Sequence, residues 1–412
     1  MVANPTLGIG SLVCDVEARV FGDRIYLYGT CGNCGEGVYA FRVYSSEDML
    51  SWTNHGVAFS AKDIAWTKVK GLWAPDCVYK DGKYYLYYSL PAGEMGVAVS
   101  DCPYGPFKDL GRVNVSGIDP SVLVDDDGSA YLYWGQLDYV RVAKLKDNMR
   151  EIDESTITQP LTVKEHGFHE GSSVRKINGK YYYLYTDTHR RGKATAQGYA
   201  VSNNPMTGFE YKGVVIDNFE CDPKSWNNHG SIQKFKGQWY IFYHRAMKGL
   251  HSWGQPRDLC IERIELDEKG EIQEVLPTSS GVAEYLLAQE KIPGYTACAF
   301  TGLACIDADK NSQYAYAVKR ITPRSSAGYR FVYFDGESEM QVKMKGEGNC
   351  RVELYVDGRY YADKSVVLDI FYKDFGLQIP PVYGKHEITL KFFGLFEEAS
   401  LDEISFVKRV RE

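Results

Sequence analysis

The sequence predicts an all-β protein, a five-bladed β-propeller followed by a jelly-roll-like β-sandwich. Three observations carry this. The pattern Gly-x-x-Tyr-apolar-Tyr, with aromatic swaps, occurs five times, from Gly22, Gly82, Gly128, Gly179 and Gly237, at spacings of 60, 46, 51 and 58 residues. Strand-forming aromatics behind a turn, repeated at that period, mark propeller blades. Long helical periodicity is absent. Near residue 276 the repeat stops, yet alternating strands continue.

Each repeat reads as one hairpin, the inner two strands of a blade. Asp81-Gly82, Asp127-Gly128 and Asn178-Gly179 are hairpin dipeptides, because such turns demand positive φ. Third strands are expected at 38–45, 95–100, 140–145, 196–202 and 259–266. The propeller domain is placed at residues 1–285, with a connecting segment over 277–295 rich in Pro, Ser and Gly. Residues 291–412 form the sandwich. Its apolar positions alternate at Met340, Val342 and Met344, at Val352, Leu354 and Val356, and at Ile388, Leu390 and Phe392. Glu337, Glu339 and Glu353 fall between apolar residues and read as solvated strand faces.

Bulk properties narrow the function. At 412 residues the chain can bury more than one core. A net charge of −7 argues against nucleic acid as a partner. No apolar run approaches the roughly 18 residues of a membrane span. The first residues show neither a basic nor an apolar leader, so a cytoplasmic location is expected, or a secreted one if a leader has been removed. Ten cysteines, widely spread, read as free thiols. Cys31-Gly32-Asn33-Cys34 is a lone CxxC without the second ligand pair that zinc requires.

Six to nine residues before each repeat glycine stands an ionisable residue: Asp15, Asp76, Asp119, Glu170 and His229. Inner strands run along the propeller axis, so these side chains are expected to ring one mouth of the channel. Crowded carboxylates perturb each other's pKa and signal function more than stability. Each Asp has a plainer reading as a turn or cap residue. For Asp76, after Trp73-Ala74-Pro75, that reading means fixing its loop by hydrogen bonds. His229 reads equally as a packed axial residue, a metal or water ligand, or a substrate contact. Two carboxylates across a pocket are what glycoside hydrolysis needs, and a third would hold the acid protonated. Trp73 offers a flat face to a sugar ring.

With these motifs, residues 4–275 resemble glycoside hydrolase family 43, the five-bladed arabinofuranosidases, xylosidases and arabinanases. The resemblance implies that Asp15 is the general base, Glu170 in His169-Glu170-Gly171 the general acid, and Asp119 in Ile118-Asp119-Pro120-Ser121 the pKa modulator. It implies substrate contacts from Trp73, Asp76, His229 and Arg257. It also makes His229 a candidate metal ligand, since the matching segment binds calcium or water in some relatives. No cofactor is required; a structural calcium near the axis is the one candidate. Val16 follows Asp15 where the family commonly has Pro, which leaves Glu17 as a rival base. The C-terminal part is similar to family 6 carbohydrate-binding modules through Gly328-Tyr329-Arg330-Phe331, the 352–356 strand and Leu401-Asp402-Glu403-Ile404. It is expected to bind glycan or to brace the propeller, not to catalyse.

The expected function is inverting exo-hydrolysis of terminal α-L-arabinofuranosyl or β-D-xylosyl residues from plant-type oligosaccharides or polysaccharides. A β-D-galactofuranosidase is the enzyme alternative. A retaining fructan-cleaving propeller fits less well, because Ile118 stands where those proteins have Arg. A non-catalytic glycan-binding propeller is the alternative from another class.

Overall fold

The computed structural model describes residues 3–32, 39–69, 71–221, 227–246 and 256–409. Five antiparallel sheets follow one another, then one larger sheet. Blade 1 (Val13–Phe21, Arg24–Cys31, Ala40–Ser46, Thr53–Ser60), blade 2 (Trp73–Lys80, Lys83–Ser89, Glu94–Ser100, Lys108–Ser116) and blade 4 (Phe168–Ile177, Lys180–Asp187, Ala196–Ser202, Glu210–Asp217) have four strands. Among the described residues, blade 3 (Ser121–Val124, Ala130–Trp134, Arg141–Leu145) and blade 5 (Ser231–Phe235, Gln238–Ala246, Arg257–Ile264) have three. The expected third strands match to within about two residues at either end; position 38, with Asn33 and Cys34 of the CxxC, lies outside the described residues. The fourth strands were not foreseen. Lys108–Ser116, for example, buries only Val113 and Val115, too few for a clear apolar pattern.

An apolar cluster fills the gap between each pair of neighbouring blades, from Phe41 and Leu86 between blades 1 and 2 round to Leu27 and Phe242 between blades 1 and 5. The N-terminal segment closes the ring. Its Thr6 N–H donates to the Leu259 carbonyl, and Asn4 Oδ1 accepts from Ile261 N. Asp81-Gly82 and Asn178-Gly179 turn with positive φ at both residues, as two-residue hairpins require. Asp127-Gly128 differs: Asp125 N donates to the Ser129 carbonyl across a longer turn, and Ala130 pairs with Val124.

The repeat tyrosines have a specific task. Tyr28, Tyr87 and Tyr133 are buried, and each hydroxyl donates to a carbonyl of the next blade, at Pro103, Met149 and Pro205 respectively. An aromatic body fills the gap between blades while its polar tip satisfies a backbone group.

At the axis the innermost strands share a second layer of polar residues. Strand pairing places Glu17, Asp76, Ser121, Ser173 and Ser231 at equivalent positions. In three of the junctions the side chain accepts from the backbone of the following blade: Asp76 from Val122 N at 2.6 Å, Ser121 from Val174 N at 3.2 Å, Ser231 from Ala18 N at 3.0 Å. Two guanidiniums lie among them. Arg19 forks onto Asp76 at 2.9 and 2.6 Å, and Arg175 donates to Glu17 at 2.6 Å and to Gln233 at 3.2 Å. Every blade therefore contributes to one buried network.

In the C-terminal sheet two long bent strands, Ser326–Val356 and Lys373–Val407, pair along most of their length. The nine apolar residues expected to face inward are all buried in one core. Glu337 and Glu353 depart from expectation, being buried instead of solvated. Glu337 accepts from Asp335 N, and Glu353 pairs with Arg351. The segment joining the two parts is pinned, not loose. Thr278 donates from backbone and hydroxyl to Glu262 at 2.7 Å each, buried Arg245 donates to the Thr278 and Ala297 carbonyls, and Arg330 bridges Glu220 at 2.7 Å and Glu387 at 3.0 Å.

Removing one member of a buried ion pair strands its partner. Arg19→Met is therefore expected to cost about 3–5 kcal/mol of stability, read by urea unfolding. Asp76→Ala should likewise unfold earlier. Were Asp76 a substrate contact, that variant would instead keep its stability and raise KM.

Candidate active site

The innermost strands of four blades begin with a kink. Asp15, Ala74, Asp119 and Gly171 occupy equivalent places, two residues before the axial layer, and all have left-handed backbones with φ of 51°, 41°, 56° and 77°. Register shifts between Cys14 and Glu17, Trp73 and Asp76, and Glu170 and Ser173 mark these as bulges. A bulge re-aims side chains at the rim of a sheet. Here it separates two layers two residues apart: an upper layer at the channel mouth and the structural layer below.

The upper layer surrounds a cavity of about 540 Å³, with Asp15, Asp119, Glu170, His229, Arg257 and Trp73 among its walls. Asp76 is not among them. It lies one layer down, fully buried, with both oxygens held by Arg19 and Val122. The expectation that Asp76 contacts substrate is corrected: its blade-2 counterpart at the mouth is Ala74, and counting back from the glycines merged two layers. Glu17, the rival base, also lies in the lower layer, gripped by Arg175.

Asp15 is 6 % exposed. Arg257 clamps it through both nitrogens, at 2.7 Å to Oδ1 and 3.2 Å to Oδ2. Burial pushes the Asp15 carboxyl up, but its neighbours, the Arg257 guanidinium first among them, outweigh it and hold the group well below the ordinary carboxylate range. His229 Nδ1 stands 3.6 Å from Asp15 Oδ1 and 3.8 Å from Asp119 Oδ2. One imidazole nitrogen thus spans the two carboxylates, and burial keeps that ring on the neutral side.

Asp119 and Glu170 go the other way. Burial raises Asp119, and the negative charges of Glu170 and Asp15 raise it further, against a 3.1 Å hydrogen bond from Gly171 N. Burial also raises Glu170, opposed by His229 and by Gln136, which donates to Glu170 Oε2 at 2.7 Å. Burial and repulsion between the two carboxylates therefore both favour their protonated forms. The site thus combines one carboxylate biased toward ionisation with a pair biased toward protonation.

Sequence reasoning missed Gln136, His169, Asn227 and His244. His169 and Asn227 line the cavity beside Glu170 and His229. His244 is buried behind Arg257, with Nε2 3.3 Å from the guanidinium. Arginine only donates, so this nitrogen accepts, and burial together with Arg257 depresses His244 to about 3. The signal for His244 was its place at the end of the last Tyr repeat. Gln136 had none beyond following strand 130–134.

Calcium takes six to eight oxygen ligands. Among the described residues no group of three or more His, Cys, Asp or Glu side chains could hold a metal ion. The axial carboxylates Glu17 and Asp76 are already matched by guanidiniums. A calcium ion at His229 would therefore have to take most of its oxygens from water or backbone carbonyls.

Comparison with known proteins identifies the relatives of this chain. Residues 13–272 match the family described as glycosyl hydrolases family 43. A xylosidase/arabinosidase of Thermoclostridium stercorarium is 28 % identical over 95 % of this chain and 96 % of its own. An α-L-arabinofuranosidase of Clostridium thermocellum has a TM-score of 0.55 at 34 % identity, covering 66 % of this chain and 97 % of that one. The Bacillus subtilis arabinoxylan arabinofuranohydrolase, solved with cellotetraose, is like this chain in fold along both parts, with a TM-score of 0.59, 23 % identity and coverage of 98 % and 97 %.

Arg257→Met should let burial raise Asp15. A base must be ionised to act, so the acidic limb of the kcat/KM profile should move to higher pH. An unmoved acidic limb, with activity retained, would show that Asp15 is not the base.

Proposed function

The chain belongs to glycosyl hydrolases family 43 and is a glycoside hydrolase; from this premise we propose that it is an inverting exo-enzyme removing terminal α-L-arabinofuranosyl or β-D-xylosyl residues from plant-type oligosaccharides. The observation that carries the proposal is the opposed electrostatics of one cavity, where Arg257 favours ionised Asp15 while burial favours protonated Asp119 and Glu170.

In this reading Glu170 gives its proton to the glycosidic oxygen as the bond to the anomeric carbon breaks. Water attacks that carbon from the opposite face and loses a proton to Asp15. The two transfers offset each other, so the cavity's net charge is unchanged. Asp119 keeps Glu170 protonated until the leaving oxygen takes the proton. Trp73 gives the ring an apolar wall, and Arg257 and His229 stand where they can meet sugar hydroxyls while fixing the carboxylates. The names of the relatives support a pentose; a β-D-galactofuranoside has less support. A purely glycan-binding propeller would have no use for carboxylates pushed in opposite directions.

Hydrolysis of a panel of nitrophenyl pentosides and galactofuranoside tests the substrate. NMR of the first-formed sugar tests the stereochemistry, and a retained anomer overturns the role of Asp15. Asp119→Asn removes a like charge beside Glu170, so the acid's pKa should fall and the basic limb of the profile should move to lower pH. Arg19 and Arg175 supply the axial positive charge in this reading, so EDTA is expected to leave both turnover and melting temperature unchanged. A loss of either, restored by calcium, would contradict it.

A further inference from the structure

The cavity contains one contact to the proposed acid that none of the roles above uses. Gln136 Nε2 donates to Glu170 Oε2 at 2.7 Å. Its backbone is fixed on both sides. Gly135 N–H donates to the Ile118 carbonyl, next to Asp119, and Tyr139 N–H donates to the Gln136 carbonyl. Gly135 has φ 120°, and a Cβ there would lie 2.4 Å from the Tyr139 carbonyl oxygen, so the chain is drawn in tightly just before Gln136. The other groups acting on Glu170 are His229, Asp15 and Arg257; none of them makes a direct hydrogen bond to Glu170 among the described residues. Gln136 is the neutral donor of the set.

We propose that Gln136 positions the general acid: its amide N–H holds one oxygen of Glu170, leaves the acid proton on the other, and stabilises the carboxylate that forms as the proton departs. This rests on the reading of Glu170 as the acid. An amide donates weakly to a protonated carboxyl and more strongly to a carboxylate. The interaction therefore strengthens along the reaction, which is the condition for lowering a barrier. The gain appears only when the acid gives up its proton. A leaving group that departs as a stable anion needs little protonation, whereas a sugar alkoxide needs nearly all of it.

The test is kcat/KM for aryl β-D-xylopyranosides and α-L-arabinofuranosides of graded leaving-group pKa, together with a pentose disaccharide. It compares the wild type with Gln136→Met, which keeps the volume and removes the donor. Gln136 is solvent-exposed, so the variant should fold, and circular dichroism checks this. The expected result is little change with dinitrophenol as leaving group and a loss of about 10- to 100-fold for the disaccharide, the scale of one hydrogen bond to a charged group. An equal loss across all leaving groups, or a change in KM alone, would overturn the proposal and leave Gln136 as an ordinary wall of the pocket. Glu170→Gln serves as the control. If it leaves disaccharide hydrolysis intact, the acid assignment itself has failed. If it abolishes that hydrolysis while Gln136→Met acts evenly, only the role of Gln136 has failed.

Discussion

The structure depends on one constraint: five innermost strands bring Glu17, Asp76, Ser121, Ser173 and Ser231 together at one buried axis. The chain meets it with buried charge. Arg19 on Asp76 and Arg175 on Glu17 join blades 1, 2 and 4, while Val122, Gln233 and Ser231 bring in blades 3 and 5. Such a network is costly to desolvate and adds little net stability over an apolar plug. What it provides is register. Asp76, Ser121 and Ser231 each meet the backbone of the next blade, so a slip of one residue would break several buried hydrogen bonds together. The bulged kinks stand two residues above this floor, and their placement is inherited from it.

That inheritance explains how much of the site was legible. The repeat glycines and tyrosines announced five hairpins, because turn chemistry and the interblade tyrosines are local requirements. Asp15, Asp119, Glu170 and His229 were reachable by counting back from those glycines. Asp76 was caught by the same count and belongs to the floor, because a bulge adds a residue that spacing alone does not reveal. Arg19 and Arg175 were invisible for the opposite reason: charged residues inside a strand pattern read as exposed. The buried Glu337 and Glu353 in the C-terminal sheet repeat that lesson. Gln136 follows the second strand of blade 3 and His244 lies on that of blade 5, where sequence distance from the carboxylates gives no hint of contact.

Division of charge between the layers also bears on chemistry. The floor is electrically balanced, with Arg19 and Arg175 against Glu17 and Asp76. The cavity above is not. It gathers Asp15, Asp119 and Glu170 against Arg257, with two imidazoles that burial keeps from taking up protons readily. One guanidinium cannot serve three carboxylates, so it serves the one it forks onto, and burial biases the other two toward protonation. The asymmetry of the proposed acid and base follows from where Arg257 leaves the third strand of blade 5.

The kinks complete the argument. An L-residue with left-handed backbone costs on the order of 1–2 kcal/mol, and this chain accepts it at Asp15 and Asp119, the two aspartates of the cavity. At the blade-4 equivalent it places Gly171 instead. A side chain there would meet Thr186 Oγ1 at 2.8 Å and His229 at 2.9 Å, so only glycine fits beneath the imidazole. The carboxylate of that blade therefore moves back one residue, to Glu170, on the longer stem that the shift requires. One step along the strand and one extra methylene set the third carboxylate apart from the other two. The site's lack of symmetry, on a scaffold of repeated blades, comes from the room around His229.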